Sequence, residues 1–495
     1  MSTDTRTFDP QTDHPMLRGN YAPVPVETTA LDLDVTGTIP DYLDGRYLRI
    51  GPNPIGEADH QRYEWFSGAG MVHGLRIRDG KADWYRNRWV RSVDVSQRLG
   101  EEWKGGPHGG GFDFAANTNV IGHDGRTLAI TESGPTPYEL DDVLDTVGPS
   151  DFCGTLRNGY SAHPHRDPLT GELHAVSYSP LHGNRVTYTV TGTDGRVRRS
   201  VDIPMQANVM IHDFSLTQDY VVIYDLPVVL DLGAAPRSRP AQVVASMFTR
   251  WARQHPMPGF LENQLMRGSQ RSATPDLGLP YRWNDRHQAR IGILPRVGGS
   301  NHVRWFDIPE AFVYHTLNAY DDGNQIVLEL VRYPKAFEDG SDPVSGLPTL
   351  ERWTIDLVTG SVQQVVLDDR PQEFPRVDER LVSRQHRFGY SVSHTLDEYG
   401  LAVPDAVLKH DIAKGSVEAV SFGPDTEPGE FVFHPSSPDA AEDDGVLMGF
   451  VYHRSTDRSD LALLDAATLE TIATVHVPAR VPHGFHGNWV PTEAG

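Results

Sequence analysis

Four short segments, far apart in the chain, each place a histidine among apolar or turn-forming residues. They are Ser161-Ala-His163-Pro-His165, Met210-Ile-His212-Asp-Phe214, Val313-Tyr-His315-Thr-Leu317 and Val481-Pro-His483-Gly-Phe-His486-Gly-Asn-Trp489. Neutral imidazole is a ligand for iron, copper, nickel and zinc, and a centre held by imidazoles alone keeps its full 2+ charge to polarise whatever fills its open positions. A lone histidine on an apolar strand is more often a core residue than a ligand, but four such contexts together point to a metal centre. His163 and His165 compete for one ligand position, and His483 and His486 for another. A rival constellation is the pair His165 and Asp167, which with a distant histidine would make the facial triad of non-haem iron oxygenases. Asp167 opens a proline-containing turn and reads more simply as a turn residue.

Metal-bound imidazoles commonly donate their second N–H to a carboxylate, which fixes the tautomer and raises ligand basicity. Glutamates set in apolar strands are the candidates: Glu132 in Leu128-Ala-Ile-Thr-Glu-Ser-Gly134, Glu373 in Gln372-Glu-Phe-Pro375 and Glu430 in Gly429-Glu-Phe-Val-Phe433. Other catalytic signatures are missing: there is no HExxH helix, no GxSxG elbow and no Walker-type phosphate loop. The Gly105–Gly111 run reads as a loop, since a phosphate cradle needs a strand before it and a helix after it.

Bringing such distant residues to one point requires a fold with a convergent axis. Glycine (46) and proline (37) are spread along all 495 residues, the punctuation of many short strands and turns. Strand-length apolar runs recur between turn signals, as at Tyr220–Tyr224, Gln325–Arg332 and Val446–Tyr452. An Asp-x-x-Thr turn followed by a strand-like run echoes at Asp167, Asp356 and Asp465. Such a chain fits an all-β propeller, in which the inner strand of every blade runs beside the axis, with a pair of β-sandwiches as the alternative. Helical periodicity is clearest at Pro240–Arg253, where Val244, Met247, Phe248 and Trp251 share one face; this predicts a helical cap segment near 240–265, packed on the core or lying on a membrane surface. No linker divides the chain, so it reads as an arm over residues 1–30 and one catalytic domain over 31–495.

Composition narrows the partners. Lysine plus arginine number 44 and aspartate plus glutamate 67, a formal charge of −23, which repels nucleic-acid phosphates. The single cysteine, Cys153, excludes an intramolecular disulfide and a cysteine-built metal site. The first 15 residues carry Asp4, Asp9 and Asp13 and no apolar run, so a cytoplasmic location is expected. No stretch of about 18 apolar residues predicts a membrane span. No protein partner is predicted.

Taken together, these segments resemble the carotenoid cleavage oxygenase family from about Leu43 to Pro491. The landmarks are Arg49-Ile-Gly-Pro-Asn-Pro54, Trp65-Phe-Ser-Gly-Ala-Gly-Met-Val-His73, Asn117-Thr-Asn119, Ala162-His-Pro164, Ile211-His-Asp-Phe214, His315 with Asn318-Ala-Tyr320, Glu373-Phe-Pro-Arg376, Gly429-Glu-Phe-Val432 and Gly484-Phe-His-Gly487. The resemblance implies a seven-bladed β-propeller with a helical and loop cap, Fe(II) held by His163, His212, His315 and His486, and Glu132, Glu373 and Glu430 behind them. It also implies that O₂ cleaves one conjugated C=C bond of an apolar polyene or phenylpropenoid to give two carbonyl products.

Two departures stand out. Ser67 and Ala69 replace acidic residues common in the family's Trp-Phe-Asp-Gly-Asp-Gly loop. By the same resemblance, the branch cleaving stilbenes and isoeugenol carries a lysine just before the glutamate and a Tyr-Arg-Asn-Pro segment upstream, both serving a phenolic hydroxyl, whereas here Thr131 precedes Glu132 and the upstream stretch is Glu101–Pro107. A carotenoid or apocarotenoid is therefore expected over a hydroxystilbene. The other readings are cleavage of a phenolic stilbene or phenylpropene, a non-oxidative retinoid-type isomerohydrolase, and a polyene-binding protein.

Overall fold

Short runs rich in valine, isoleucine and aromatic residues pack well on pleated surfaces, and here they fold almost entirely as antiparallel strands. The computed structural model describes residues 14–56, 63–104, 113, 115–157, 159–179, 182–231, 279, 281–338, 346–397 and 400–492. Seven sheets form the blades of a β-propeller. The three runs singled out in the sequence are the strands Tyr220–Asp225, Gln325–Tyr333 and Gly445–His453.

From the axis outward, blade two comprises Asn119–His123, Arg126–Ile130, Tyr138–Leu140 and Thr146–Pro149. Blade three comprises His165–Arg166, Leu173–Tyr178, Arg185–Thr191 and Val197–Pro204; blade four comprises Ser215–Leu216, Tyr220–Asp225, Arg290–Pro295 and Arg304–Asp307. Blade five runs Phe312–Asp322, Gln325–Tyr333, Thr349–Asp356, Val362–Asp368, and blade six Gln372–Val377, Phe388–Leu396, Ala402–Asp411, Ser416–Val420. In blade four a two-stranded ribbon, Val228–Leu230 with Tyr281–Trp283, departs from the pattern.

The ring closes twice. In blade one the late strand Gly487–Pro491 pairs on the axis with the early strand Gly45–Pro52, followed by Gly70–Arg78, Lys81–Trp89 and Thr29–Leu31. In blade seven, Thr426–Pro428 and Val432–Pro435 both pair with Gly445–His453; Arg458–Asp465 and Thr471–His476 follow, and the early strand Val35–Gly37 forms the outer edge. Gly51 and Gly484 cross so closely beside the first closure that a Cβ on Gly51 would lie 2.5 Å from the Gly484 Cα.

The core is a ring of wedges between neighbouring blades. Leu48, Ile50 and Val72 meet Val120 and Ala129 between blades one and two, and Phe388 and Tyr390 meet Phe431 and Leu447 between six and seven. Each buried valine, leucine, isoleucine or phenylalanine among them contributes roughly 1.5–3 kcal/mol relative to exposure. Outer strands need only one apolar face, and Val197–Pro204 accordingly alternates between partly buried and exposed positions.

The echoing aspartates cap turns. Asp356 Oδ1 accepts from the Val358 and Thr359 N–H groups, and Asp465 Oδ1 from those of Ala467 and Thr468, both between a blade's third and fourth strands. Asp167 does the same for Leu169, between the first and second strands of its blade.

The early segment is held against the propeller. Arg18 pairs with Asp397, Arg480 donates to the Ala22 carbonyl, and the His483 N–H donates to the Asn20 carbonyl. The expected helix at 240–265, with its Val244, Met247, Phe248 and Trp251 face, lies outside the described residues, as does the whole Gly105–Gly111 run. Among the described residues the one α-helix is Val93–Leu99, and no helix is long and apolar enough to cross a membrane.

Candidate metal centre

The four histidines come from the starts or the middle of inner strands in four blades. His163 lies just before His165–Arg166, His212 just before Ser215–Leu216, His315 within Phe312–Asp322 and His486 just before Gly487–Pro491. Their ligand nitrogens all lie within 4.8 Å of one another. Nε2 of His212 is 3.1 Å from Nε2 of His163 and 3.1 Å from that of His315, which is 3.1 Å from Nε2 of His486. Nitrogens 3.1 Å apart and at right angles about a centre each lie about 2.2 Å from it, close to the roughly 2.0–2.1 Å of metal–imidazole bonds. Donor type and spacing therefore both fit a metal ion.

The opposite ring nitrogens are fixed by carboxylates. Nδ1 of His212 lies 2.5 Å from Glu132, Nδ1 of His315 2.5 Å from Glu373, and Nδ1 of His486 3.0 Å from Glu430. An imidazole that donates from Nδ1 to a carboxylate presents the Nε2 lone pair to the centre. Glu373 also accepts from the Tyr333 hydroxyl and the Phe374 N–H, and Glu430 accepts from the Gly487 N–H. Among the described residues no glutamate stands behind His163.

Burial holds His163 and His486 well below the usual imidazole range, and the neighbouring imidazoles act in the same direction, so both are neutral. For His315 burial also acts downward, but the Glu373 carboxylate outweighs it and the net shift is upward. Glu373 is pushed up by burial and drawn further down by His315, whereas burial leaves Glu430 raised despite Arg376, whose Nη1 is 3.7 Å away.

The two competing histidines turn to other partners. His165 Nε2 is 2.8 Å from Asp213, which also accepts from the Thr316 N–H and hydroxyl. His483 Nε2 is 2.5 Å from Glu427, and its ring packs on Tyr21. Asp167 caps its turn and pairs with Arg296 at 2.5 Å, away from the cluster.

Distorted backbone aims several of these groups. The inner strand carrying His315 shifts register on both sides of Thr316, and the one carrying Glu373 shifts between Glu373 and Arg376. Such bulges redirect side chains. Phe374 sits at φ +55°, and its ring stacks on His315 at 5.7 Å. Ser133, which follows Glu132, has φ +60°.

Sequence reasoning missed Phe374, Asp213, Tyr314 and Tyr333. Phe374 adjoins a singled-out glutamate, and Asp213 and Tyr314 adjoin singled-out histidines, so adjacency was the available signal. Of the aromatic residues near ligand motifs, Phe485 packs with Trp65 and Phe66 beside His486, whereas Trp305 lies under Arg290 on an outer strand. The loop carrying Ser67 is held by Glu64, which caps Phe66 and Ser67, and by Asn117, whose amide donates to the Phe66 and Gly68 carbonyls. Thr131 is buried, its hydroxyl 2.9 Å from that of Thr118.

A cavity of about 1010 Å³ runs from His163, His315 and His486 to the hairpin at Asp124 and Gly125. Its walls include Arg46, Arg76 and Arg166. Leu317, Phe374, Phe433 and Trp489 line it as well, so the cavity that meets the cluster has a mixed polar and apolar wall.

A family model described as RPE65, retinal pigment epithelial membrane protein, matches residues 21–491. A carotenoid cleavage oxygenase of Mycobacterium tuberculosis is 51% identical over 97% of this chain and 98% of its own length. The crystal structure of Pseudomonas brassicacearum lignostilbene dioxygenase superposes with a TM-score of 0.80 at 25% identity, covering 97% of this chain and 98% of that one. A mutant of the apocarotenoid oxygenase of Synechocystis gives 0.77 at 25% identity, covering 96% and 98%.

Proposed function

The chain belongs to the RPE65/carotenoid cleavage oxygenase family and is an oxygenase, and from that premise we propose that it is an Fe(II)-dependent dioxygenase acting on a carotenoid or apocarotenoid. The observation that carries this reading is the convergence of four Nε2 atoms, three of them on imidazoles backed by glutamates. His163, His212, His315 and His486 would hold the iron, and Glu132, Glu373 and Glu430 would fix the tautomer and orientation of three of them. Four imidazoles suit a first-row ion such as iron and leave its full charge to act at the positions they do not fill. Bound iron would supply the means of activating O₂, and both oxygen atoms would end in two carbonyl groups as one C=C bond is lost.

The residues' own tasks follow from their placement. Phe374 presents aromatic surface to His315 and His486, suited to packing against a flat conjugated chain and holding one double bond in place. Buried tyrosine and phenylalanine around the glutamates keep bulk water from that side. We read residues 31–495 as one catalytic propeller with 1–30 as its arm, whose end enters blade one through the edge strand Thr29–Leu31. The partners are the polyene and O₂, and the 240–265 segment is the candidate for contact with the membrane in which such substrates dissolve.

The likeness to a lignostilbene dioxygenase supports a phenolic stilbene as the second reading. Against it, Thr131 is occupied by its hydrogen bond to Thr118 and offers no charge for a phenol. The test is mass spectrometry of products from Fe(II)-loaded protein given apocarotenals, carotenes and hydroxystilbenes, with and without O₂. Oxygen-dependent aldehydes or ketones from a polyene are expected. Products from stilbenes alone would move the substrate to the second reading, and products that need no O₂ would favour an isomerohydrolase.

A further inference from the structure

Two tyrosine hydroxyls near the centre make no well-formed hydrogen bond among the described residues. Tyr178, at the end of the second strand of blade three, and Tyr281, on the ribbon of blade four, are 4% and 3% exposed. Their rings meet edge to face at 6.0 Å. The two hydroxyls face one another without the alignment of a full hydrogen bond, and neither has another partner among the described residues. Even a well-made bond between them would use one O–H and leave the other without an acceptor. A buried polar group without a partner costs about 1–3 kcal/mol, so a pair of them in one apolar cluster calls for an explanation.

Their surroundings supply one. Both hydroxyls lie in the field of Glu132, the carboxylate behind His212. Glu132 itself keeps 20% of its side-chain surface open. Burial raises both phenols far above neutrality, so both carry their protons and are donors. The rest of the cluster is apolar or aromatic, including Tyr314, Phe312 and Phe337. Two neutral donors in an apolar wall match a ligand that is hydrocarbon except for one acceptor oxygen.

We infer that Tyr178 and Tyr281 form a docking point for the oxygen of a conjugated aldehyde, two O–H groups converging on one carbonyl. The inference rests on the oxygenase reading and sharpens it: the oxygen belongs either to the terminal aldehyde of an apocarotenoid substrate or to the aldehyde released by cleavage. A carotene hydrocarbon has no such atom and leaves the hydroxyls unpaired, so the site discriminates by leaving buried donors unsatisfied in the wrong complex.

The experiment compares wild type with Tyr178→Phe, Tyr281→Phe and the double variant, all metal-loaded and held without O₂ so that nothing turns over. The probes are a long apocarotenal, a short polyene aldehyde of retinal length, and β-carotene. Binding is followed by fluorescence quenching, and the bound aldehyde's C=O stretch by Raman difference spectroscopy. The wild type is expected to lower the C=O frequency. The double variant should restore it and raise the aldehyde Kd by about tenfold, the size of one to two net hydrogen bonds, with the β-carotene Kd unchanged. A shift with the long aldehyde alone assigns the site to substrate, and with the short one alone to product; shifts with both support a shared docking point. Since among the described residues each hydroxyl has at most the other as a poorly aligned partner, the variants should melt at the wild-type temperature or above. A C=O frequency indifferent to both substitutions, or a melting temperature lowered by each single change, would overturn the inference and leave the oxygenase reading standing. Failure of any polyene to bind would overturn both.

Discussion

Glu373 touches three groups at once: Nδ1 of His315 at 2.5 Å, the Tyr333 hydroxyl at 3.0 Å and the Phe374 N–H at 2.6 Å. Replacing it with glutamine keeps the shape and removes the charge that orients His315. A Glu373→Gln variant is expected to bind Fe(II) about 10- to 100-fold more weakly, measured by competition with a chromophoric chelator; unchanged affinity would show that the carboxylate does not tune the centre. His315→Ala should abolish turnover while polyene binding persists, which separates an enzyme from a carrier in a single pair of assays. At this scale the sequence was informative because imidazoles in apolar strands and glutamates in similar settings are rare enough to notice. It could not choose between His163 and His165 by chemistry, since both are imidazoles two residues apart. The choice follows from side-chain direction: His165 is held by Asp213 and Phe214, an arrangement that depends on contacts 48 and 49 residues away.

Inner strands here do more than line an axis, because their register shifts decide what points at it. The bulge after Glu373 puts Phe374 at positive φ, and no propensity scale marks such a position in a phenylalanine. Bulges are set by pairing with a distant strand, which explains why Phe374 was invisible while its neighbour Glu373 was not. The same holds for the Trp65–Ser67 turn. Ser67 and Ala69 stand in place of two family carboxylates, yet the turn is held by Glu64 and by Asn117, 49 to 51 residues on. Removing the Asn117 amide leaves two backbone carbonyls without their donor, so Asn117→Ala should cost about 1–3 kcal/mol. Urea denaturation followed by tryptophan fluorescence checks this; no loss would mean that water replaces the amide.

The whole molecule buries histidines away from the centre as well, and these give its stability a pH dependence. His174 is paired with the Tyr188 hydroxyl and His410 with Ser391, and burial lowers both to about 4 from 6.5. The unfolded chain takes up these protons first. The folded state's advantage is therefore complete above about pH 6.5 and falls away between 6.5 and 4. Over that window unfolding is expected to take up about two protons through these residues, and a His174→Asn/His410→Asn variant should flatten the slope of Tm against pH. An identical slope would show that both are protonated in the fold. The blade architecture was legible as recurrent strand-length runs and turn-capping aspartates. The order of blades and the double closure were not, because they pair residues as distant as Tyr47 and Trp489.

That closure fixes a moment in the protein's synthesis. His163, His212 and His315 emerge from the ribosome long before His486, which directly precedes the closing strand Gly487–Pro491. A nascent chain therefore holds at most a three-histidine cluster on an open ring, and an ion taken up early would sit in an incomplete cage. The four-imidazole cage is complete only once residue 486 has been made, and a chain cut short before it lacks both the fourth histidine and the closing strand of blade one.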